Sequence, residues 1–252
     1  MNRWIAVAAA PALLFAGAAA LAAPNGKAPA QAGGLSLSPA VIEESPAHAG
    51  TLGAVTVTNR STQTLTVTVA PRPWNQDASG KVSAKRSGKL AGVSVDKSSF
   101  TLAPQASQNV TVTAAAPAAG YEYGALEVIG VPSDIAKRTG VVVGYRLVGT
   151  LRMLPAQKRY SLVASAVKRA GKAIVVPVTN KGNTLDPVSG QVQVKGARGT
   201  LNDNVGEVKI LPGKKVNIAL GSGLRSGSYS ATLTLKQAGT KLLTVKRKFV
   251  VR

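Results

Sequence analysis

The sequence predicts an all-β protein: two tandem immunoglobulin-like β-sandwich domains after a cleaved signal peptide. Three observations carry this. Short runs of alternating apolar and polar residues recur from Leu35 onward, separated by turn residues at spacings of about ten, as in antiparallel sandwiches. The pattern Val-x-Val-x-Asn in "GAVTVTNR" (Gly53 to Arg60) returns in "IVVPVTNK" (Ile174 to Lys181), so one module is written twice. The composition is 45% hydrophobic but only 4% aromatic, which leaves Val, Leu and Ile to build strand-type cores. At 252 residues the chain has room for two such cores.

The elements follow in order. Residues 1–22 are expected to be a signal peptide, because Arg3 precedes an apolar run ending at the small-x-small site Ala20-Leu21-Ala22. Residues 23–34, rich in Ala, Pro and Gly, form a leader without periodicity. The first sandwich is assigned to 35–155 and the second to 156–252. Candidate strands of the first are Leu35 to Glu44, Leu52 to Asn59, Thr64 to Trp74, Val82 to Val95, Asn109 to Ala115, Tyr121 to Val131 and Gly140 to Leu154. Within them Val55, Val57, Leu65, Val67, Val69, Val110 and Val112 should face the core. Thr56, Thr58, Thr64, Thr66, Thr68, Thr111 and Thr113 should form a polar outer face, to which no ligand is assigned. The mature chain is expected to hold no membrane span, since no later segment approaches about 18 continuous apolar residues.

The duplication extends beyond one strand. "TLAPQASQNVTVT" and "GYEYGALEVIG" follow the first Asn, and "ILPGKKVNIAL" and "GSYSATLTL" follow the second. From Asn59 to Pro104 is 45 residues and from Asn180 to Pro212 is 32, so the first copy holds an extra segment. That segment contains "PRPWNQDASG". The Asn of each copy is read as structural, ending a strand and bonding the backbone of the next turn. Leu102, Leu211, Tyr121, Tyr123 and Tyr229 are read as core and corner residues.

The runs "LSLSPAVIEES", "GAVTVTNRSTQTLTVTV" and "VDKSSFTLAPQASQNVTVTA" resemble the amino-terminal domain of periplasmic pilus chaperones. They also resemble the first domain of Gram-positive surface proteins that interact with WxL-type wall proteins. The resemblance covers about residues 35–155 and, more loosely, the second module. For the pilus chaperones it implies a cleft whose basic pair anchors a pilin carboxylate. Here the first strand offers Glu43 and Glu44 and neither Lys nor Arg, so that site does not transfer. The WxL-interacting proteins usually end in a membrane helix and a basic tail, and this chain has only the basic ending.

Charge is uneven. The formal net charge is +21, with 11 basic and 7 acidic residues between Leu35 and Pro155 but 16 basic and 3 acidic between Tyr160 and Arg252. A field of this kind draws anionic polymers. Lys168, Arg169, Lys172, Lys214, Lys215, Lys246, Lys248 and Arg252 are the candidate contacts to an anionic cell-wall polymer or envelope surface. Export and the lack of an aromatic stacking array argue against nucleic acid as the partner. In the extra segment Arg72, Trp74, Asn75 and Asp77 form a candidate ligand loop, because Trp with amide and carboxylate groups suits a sugar or peptide.

No enzyme is expected. Cysteine is absent and the single histidine is His48, which removes thiol chemistry and His-based metal clusters. No catalytic residue, metal site or cofactor is assigned. The leading reading is a non-enzymatic, exported, envelope-associated binding protein, periplasmic if the source is Gram-negative. Its first domain would recognise protein or glycan, and its basic second domain would attach to an anionic surface. The alternative is a chaperone-like assembly factor that pairs an edge strand with a secreted or surface subunit. "TGVVVGYRLVGTLRMLP" has the length for it, with Val141, Val143, Tyr145, Leu147, Leu151 and Met153 on one face unless Gly144 and Gly149 bend it.

Overall fold

The computed structural model describes residues 34–44, 49–115 and 122–252. The signal, the leader through residue 33, His48 and Tyr121 lie outside the described residues.

The first sandwich is built from β1 (Leu35–Ser38), β2 (Val41–Glu44), β3 (Gly50–Asn59), β4 (Leu65–Gln76), β5 (Val82–Ala84), β6 (Val93–Val95), β7 (Ser99–Leu102), β8 (Ser107–Ala114), β9 (Glu122–Pro132) and β10 (Tyr145–Met153). One sheet runs β1-β3-β8-β6 and the other β2-β10-β9-β4, with β5 and β7 both on the far edge of β4. All pairs are antiparallel except β2 with β10. Val55, Val57, Leu65, Val67, Val69, Val110 and Val112 are at most 2% exposed, as their alternation requires. On the outer face the small hydroxyls satisfy one another across strands: Thr58 with Ser107 at 2.7 Å, Ser94 with Thr113 at 2.8 Å, and Thr56 donating to Asn109 at 2.8 Å.

Four strand expectations change. Leu35 to Glu44 is two strands in opposite sheets, because the chain crosses at Pro39 and Ala40. Val82 to Val95 is likewise two three-residue strands, interrupted by Gly88 and Gly92, both with positive φ. Ser99–Leu102 is a strand that the alternation did not reveal; it is short and ends at the Pro104 turn. The last strand starts at Tyr145, and residues 140–144 lie outside the ladder.

The second sandwich comprises β11 (Leu162–Ala164), β12 (Lys168–Ala170), β13 (Ala173–Asn180), β14 (Val188–Gly196), β15 (Gly199–Val208), β16 (Lys215–Ser222), β17 (Gly227–Gln237) and β18 (Thr240–Val251). In one sheet β11 and β12 share an edge of β13, with β16 on its other side; the second sheet runs β15-β14-β17-β18. Its core holds Val176, Val178, Val188, Ile210, Leu233 and Leu235 at 0–1% exposure.

The duplication is visible atom by atom. The Asn59 amide donates to Gln63 O (2.7 Å) and Leu102 O (3.0 Å), and the Asn180 amide to Thr184 O and Ile210 O, both at 2.8 Å. The side-chain oxygen of each accepts the backbone N–H two residues on, from Ser61 at 2.9 Å and Gly182 at 2.8 Å. Both asparagines are fully buried. The facing turns match as well. Pro104 and Pro212 each precede a residue of positive φ, Gln105 at 62° and Gly213 at 74°, the geometry of a type II turn. Its N–H donates to the backbone oxygen of Asn59 or Asn180, in each case at 2.8 Å.

The extra segment of the first module joins the two sandwiches. Gln76, at the end of β4 and 7% exposed, donates to Lys209 O at 2.7 Å and accepts from Leu211 N at 2.9 Å. Beside it Ala78 O accepts the N–H of Asn217 at 2.8 Å. Packing from Val208 and Val216 reaches Gly80 at the tip of the β4–β5 hairpin.

Candidate functional site

β10 leaves part of one backbone edge unpaired. On one side β9 pairs with all of β10, from Tyr145↔Gly130 to Met153↔Glu122. On the other side β2 covers only Thr150 to Met153. The N–H of Thr150 donates to Ala40 O and that of Leu154 to Glu44 O, both at 2.8 Å, so alternation directs the N–H groups of Arg146 and Val148 to the same side. Among the described residues no strand pairs with that side of Tyr145 to Gly149. Leu37 and Gly149 pack closely, which anchors β1 beneath the edge without pairing to it.

Apolar side chains accompany the edge. Val141 is 99% and Val143 65% exposed, and Val148 is exposed on the outer face of β10. The expectation that Val141 and Val143 share one strand face with Tyr145, Leu147, Leu151 and Met153 is therefore corrected: the chain there has left the sheet, so strand parity no longer governs it.

A buried carboxylate stiffens this sheet. Glu127, in the middle of β9 and 2% exposed, accepts from Arg72 Nε on β4 at 2.9 Å and from Arg146 Nε on β10 at 2.7 Å. Burial pushes its carboxyl upward, but the hydrogen bonds and charges of Arg146 and Arg72 outweigh that and hold it below the ordinary glutamate value. One carboxylate thus ties three neighbouring strands, β4, β9 and β10, on their outer face.

Where the sandwiches meet, a cleft of about 230 Å³ is lined by Glu43, Tyr123, Arg152, Lys158, Asp186 and Lys209, among others. Arg152 pairs with Glu43 at 3.1 Å. Asp186 accepts from Lys158 at 3.0 Å and from the Tyr160 hydroxyl at 2.8 Å. Burial raises the Asp186 carboxyl, yet those two donors bring it below its usual range. The cleft carries both signs of charge, and two of its three cations, Arg152 and Lys158, are paired with carboxylates.

The residues singled out from sequence are distributed differently. Trp74 and Asn75 are in β4, paired with Ala84 and Ser83, so the candidate ligand loop is a strand end. Arg72 is engaged by Glu127 and by Gly88 O at 2.9 Å. Asp77 makes the hairpin turn, its Oδ1 accepting from the N–H groups of Ser79 (2.8 Å) and Lys81 (3.0 Å) and from the Ser79 hydroxyl (2.6 Å). The Ser79 hydroxyl leads the interactions that lower its carboxyl. Arg72, Gln76 and Asp77 are thus engaged by the fold, while Asn75 is exposed.

The basic residues do not converge. Lys168 and Arg169 are on β12 and Lys172 in the turn after it, at one end of the β11/β12-β13-β16 sheet. Lys214 and Lys215 are at the opposite end, where Lys215 faces Thr179. Lys168 and Arg169 pair with Val175 and Ile174, four and five positions along β13 from the Thr179 that faces Lys215, a separation of about 13–17 Å along the strand. Lys246 and Lys248 are exposed on β18 of the other sheet, and Arg252 is exposed after its end. The described residues hold no group of three or more His, Cys, Asp or Glu that could bind a metal. No described helix is long and apolar enough to cross a membrane.

No protein-family model matches the chain, and no curated protein matches it. Solved structures do. A chain from the chaperone–tip adhesin complex of CFA/I fimbriae biogenesis superposes with a TM-score of 0.53 at 16% identity, over 85% of this chain and 98% of that one. The fold is that of the fimbrial chaperones. The class 5 fimbriae chaperone CfaA gives 0.48 at 15% identity, covering 86% of this chain and 100% of its own. A chain from the CsuC–CsuE chaperone–tip adhesion subunit complex of Acinetobacter baumannii gives 0.47 at 14%, with 84% and 97% covered. This likeness extends over both sandwiches, and it lends no support to the WxL-interacting proteins.

Sequence reasoning passed over Glu127 and Gln76. A lone acid in the apolar run "GALEVIGV" was the available signal for the first. Nothing in the sequence marks the second, because its partners Lys209 and Leu211 are more than 130 positions away.

Proposed function

We propose that this protein is a chaperone-like assembly factor that pairs the free edge of β10 with a strand of a secreted or surface subunit. The observation that carries the reading is the unpaired backbone of Tyr145 to Gly149, flanked by exposed Val141 and Val143. A client strand laid there gains main-chain hydrogen bonds to Arg146 and Val148 and an apolar surface beside them. The Glu127 ion pairs hold β10 to its neighbours, so the edge is presented in a fixed conformation and little ordering is needed on binding. Likeness of fold to proteins described as fimbrial chaperones supports the same reading, and with it a periplasmic or envelope location. Attachment through the basic residues named from sequence loses ground, since they occupy separate surfaces.

The test is recovery of the full chain from its producing cells, wild type beside Val148→Pro. Proline removes the N–H directed at the free edge and leaves the β9 side of the ladder intact. The expected result is a stoichiometric secreted partner with the wild type, reduced about tenfold or more with the variant at unchanged circular dichroism. Absence of any stoichiometric partner, or equal recovery with a folded Val148→Pro chain, rejects edge pairing.

A further inference from the structure

We propose that the outer face of the β15-β14-β17-β18 sheet is a binding strip for an acidic polysaccharide. This surface belongs to the second sandwich and uses no residue of β10, so it stands or falls independently of client pairing.

The face is laid out in cross-strand rows. Asn204, Gln191, Thr234 and Thr244 stand side by side, and the next row is Asn202, Gln193, Thr232 and Lys246. A third brings together Thr200, Lys195, Ser230 and Lys248. The β15, β14 and β17 members of the first two rows, with Val192 and Asp203, line a concavity of about 530 Å³; Thr244 and Lys246 on β18 stand beside it. Further hollows continue it toward Ser189 and Lys236 at one end and toward Lys195 and Lys248 at the other. From Ser189 to Ala197 the strip is about 26 Å long at the usual strand rise, while four strands span about 14 Å. Such an elongated hollow suits a segment of polymer better than a compact ligand.

Its chemistry narrows the ligand. Amides and hydroxyls supply donors and acceptors together, which the hydroxyl groups of sugars need. Gln193 donates to Asn202 at 3.0 Å, fixing one amide pair, whereas the side-chain amides of Gln191 and Asn204 make no hydrogen bond to the described protein. The Thr234 and Thr244 hydroxyls pair at 3.4 Å, as short hydroxyls do on the outer face of the first sandwich. Lys195, Lys236, Lys246 and Lys248 are all exposed. Two acids stand against four exposed lysines: Asp203 lines the first concavity opposite Val192 and accepts the N–H of Asn204 at 2.8 Å, and Glu207 is exposed at the Ser189 end, in the bulge of β15. A polyol carrying carboxylates is complementary to this mixture. Nucleic acid is a poorer match, because the only aromatic rings along the described strip, Tyr229 and Phe249, stack on each other in the hollow at its Lys195–Lys248 end and form no array for successive bases.

Affinity electrophoresis of the full chain decides the matter with polygalacturonate as the acidic probe, dextran as the neutral one and single-stranded oligothymidylate as the nucleic acid. Three variants are compared: Gln191→Ala/Gln193→Ala, Lys246→Gln/Lys248→Gln, and Lys168→Gln/Arg169→Gln on the other sheet. Polygalacturonate should retard the wild type and dextran should not. The amide pair should weaken binding about tenfold. The β18 lysine pair should weaken it several-fold and flatten its salt dependence, while the β12 pair changes it little. The proposal is overturned if polygalacturonate does not bind at low salt, or if the two charge variants lose affinity equally while the amide variant loses none. Tighter retention of oligothymidylate through these same residues also overturns it.

Discussion

Asn59 and Asn180 show how one side chain sets a local fold. Each is fully buried yet donates to two or more backbone carbonyls and accepts the N–H two residues on, so its polarity is matched inside the core. Glu127 does the same for a charge. Its folded carboxyl lies below the ordinary value, so the stability it contributes is complete above about pH 4.3 and is lost as pH falls through the folded value. The melting temperature of the wild type should therefore drop between about pH 5 and pH 3. Glu127→Gln should lower stability by about 1–3 kcal/mol at neutral pH, less than for a wholly buried pair because both arginines keep contact with water. It should also flatten that acid limb, and thermal melts of both chains across pH check it. A parallel acid limb in the variant assigns the transition to other carboxylates.

At the scale of elements, the β4–β5 hairpin and β10 have opposite roles. The hairpin turns several of its polar groups on the protein itself: Gln76 on Lys209 and Leu211, Ala78 on Asn217, Asp77 on its own turn. Gln76→Ala leaves a part-buried carbonyl and a buried N–H without their partner, and should destabilise by about 1–3 kcal/mol. Since the lost bonds cross between the sandwiches, the variant's calorimetric transition should be broader than the wild type's, or split. A sharp, merely shifted transition would show that the hairpin does not couple the two cores. Unlike the hairpin, β10 leaves part of its backbone unspent, and the ion pairs of Glu127 keep that edge in place.

For the whole molecule, the dominant quantity is a net charge of +21 with most of the excess in the second sandwich. Like charges gathered on a compact body repel, and salt screens them over about 10 Å at 0.1 M. Thermal stability should accordingly rise by a few degrees between about 10 and 150 mM salt, measured by calorimetry at pH 7. A fall over that range would mean that attractive pairs such as Arg152 with Glu43 outweigh the repulsion.

The sandwich class was legible in the sequence because period-two burial is a local code: each inward Val or Leu of β3, β4 and β8 is flagged by its own neighbours. The duplication was legible for the same reason, since Asn, Leu and Pro recur in order around identical turns. The sequence by itself thus determined the β class, the repeated module and the excess of positive charge. Only the tertiary structure decided which edges stay unpaired, where Gln76 and Glu127 find partners, and that Trp74 is in a strand. It also scattered Lys168, Lys215 and Lys248 while aligning Gln191, Asn204 and Thr234 in one row. The physical reason is that strand pairing and cross-strand neighbours depend on register between segments far apart in the chain, and residue patterns within a segment carry no record of it.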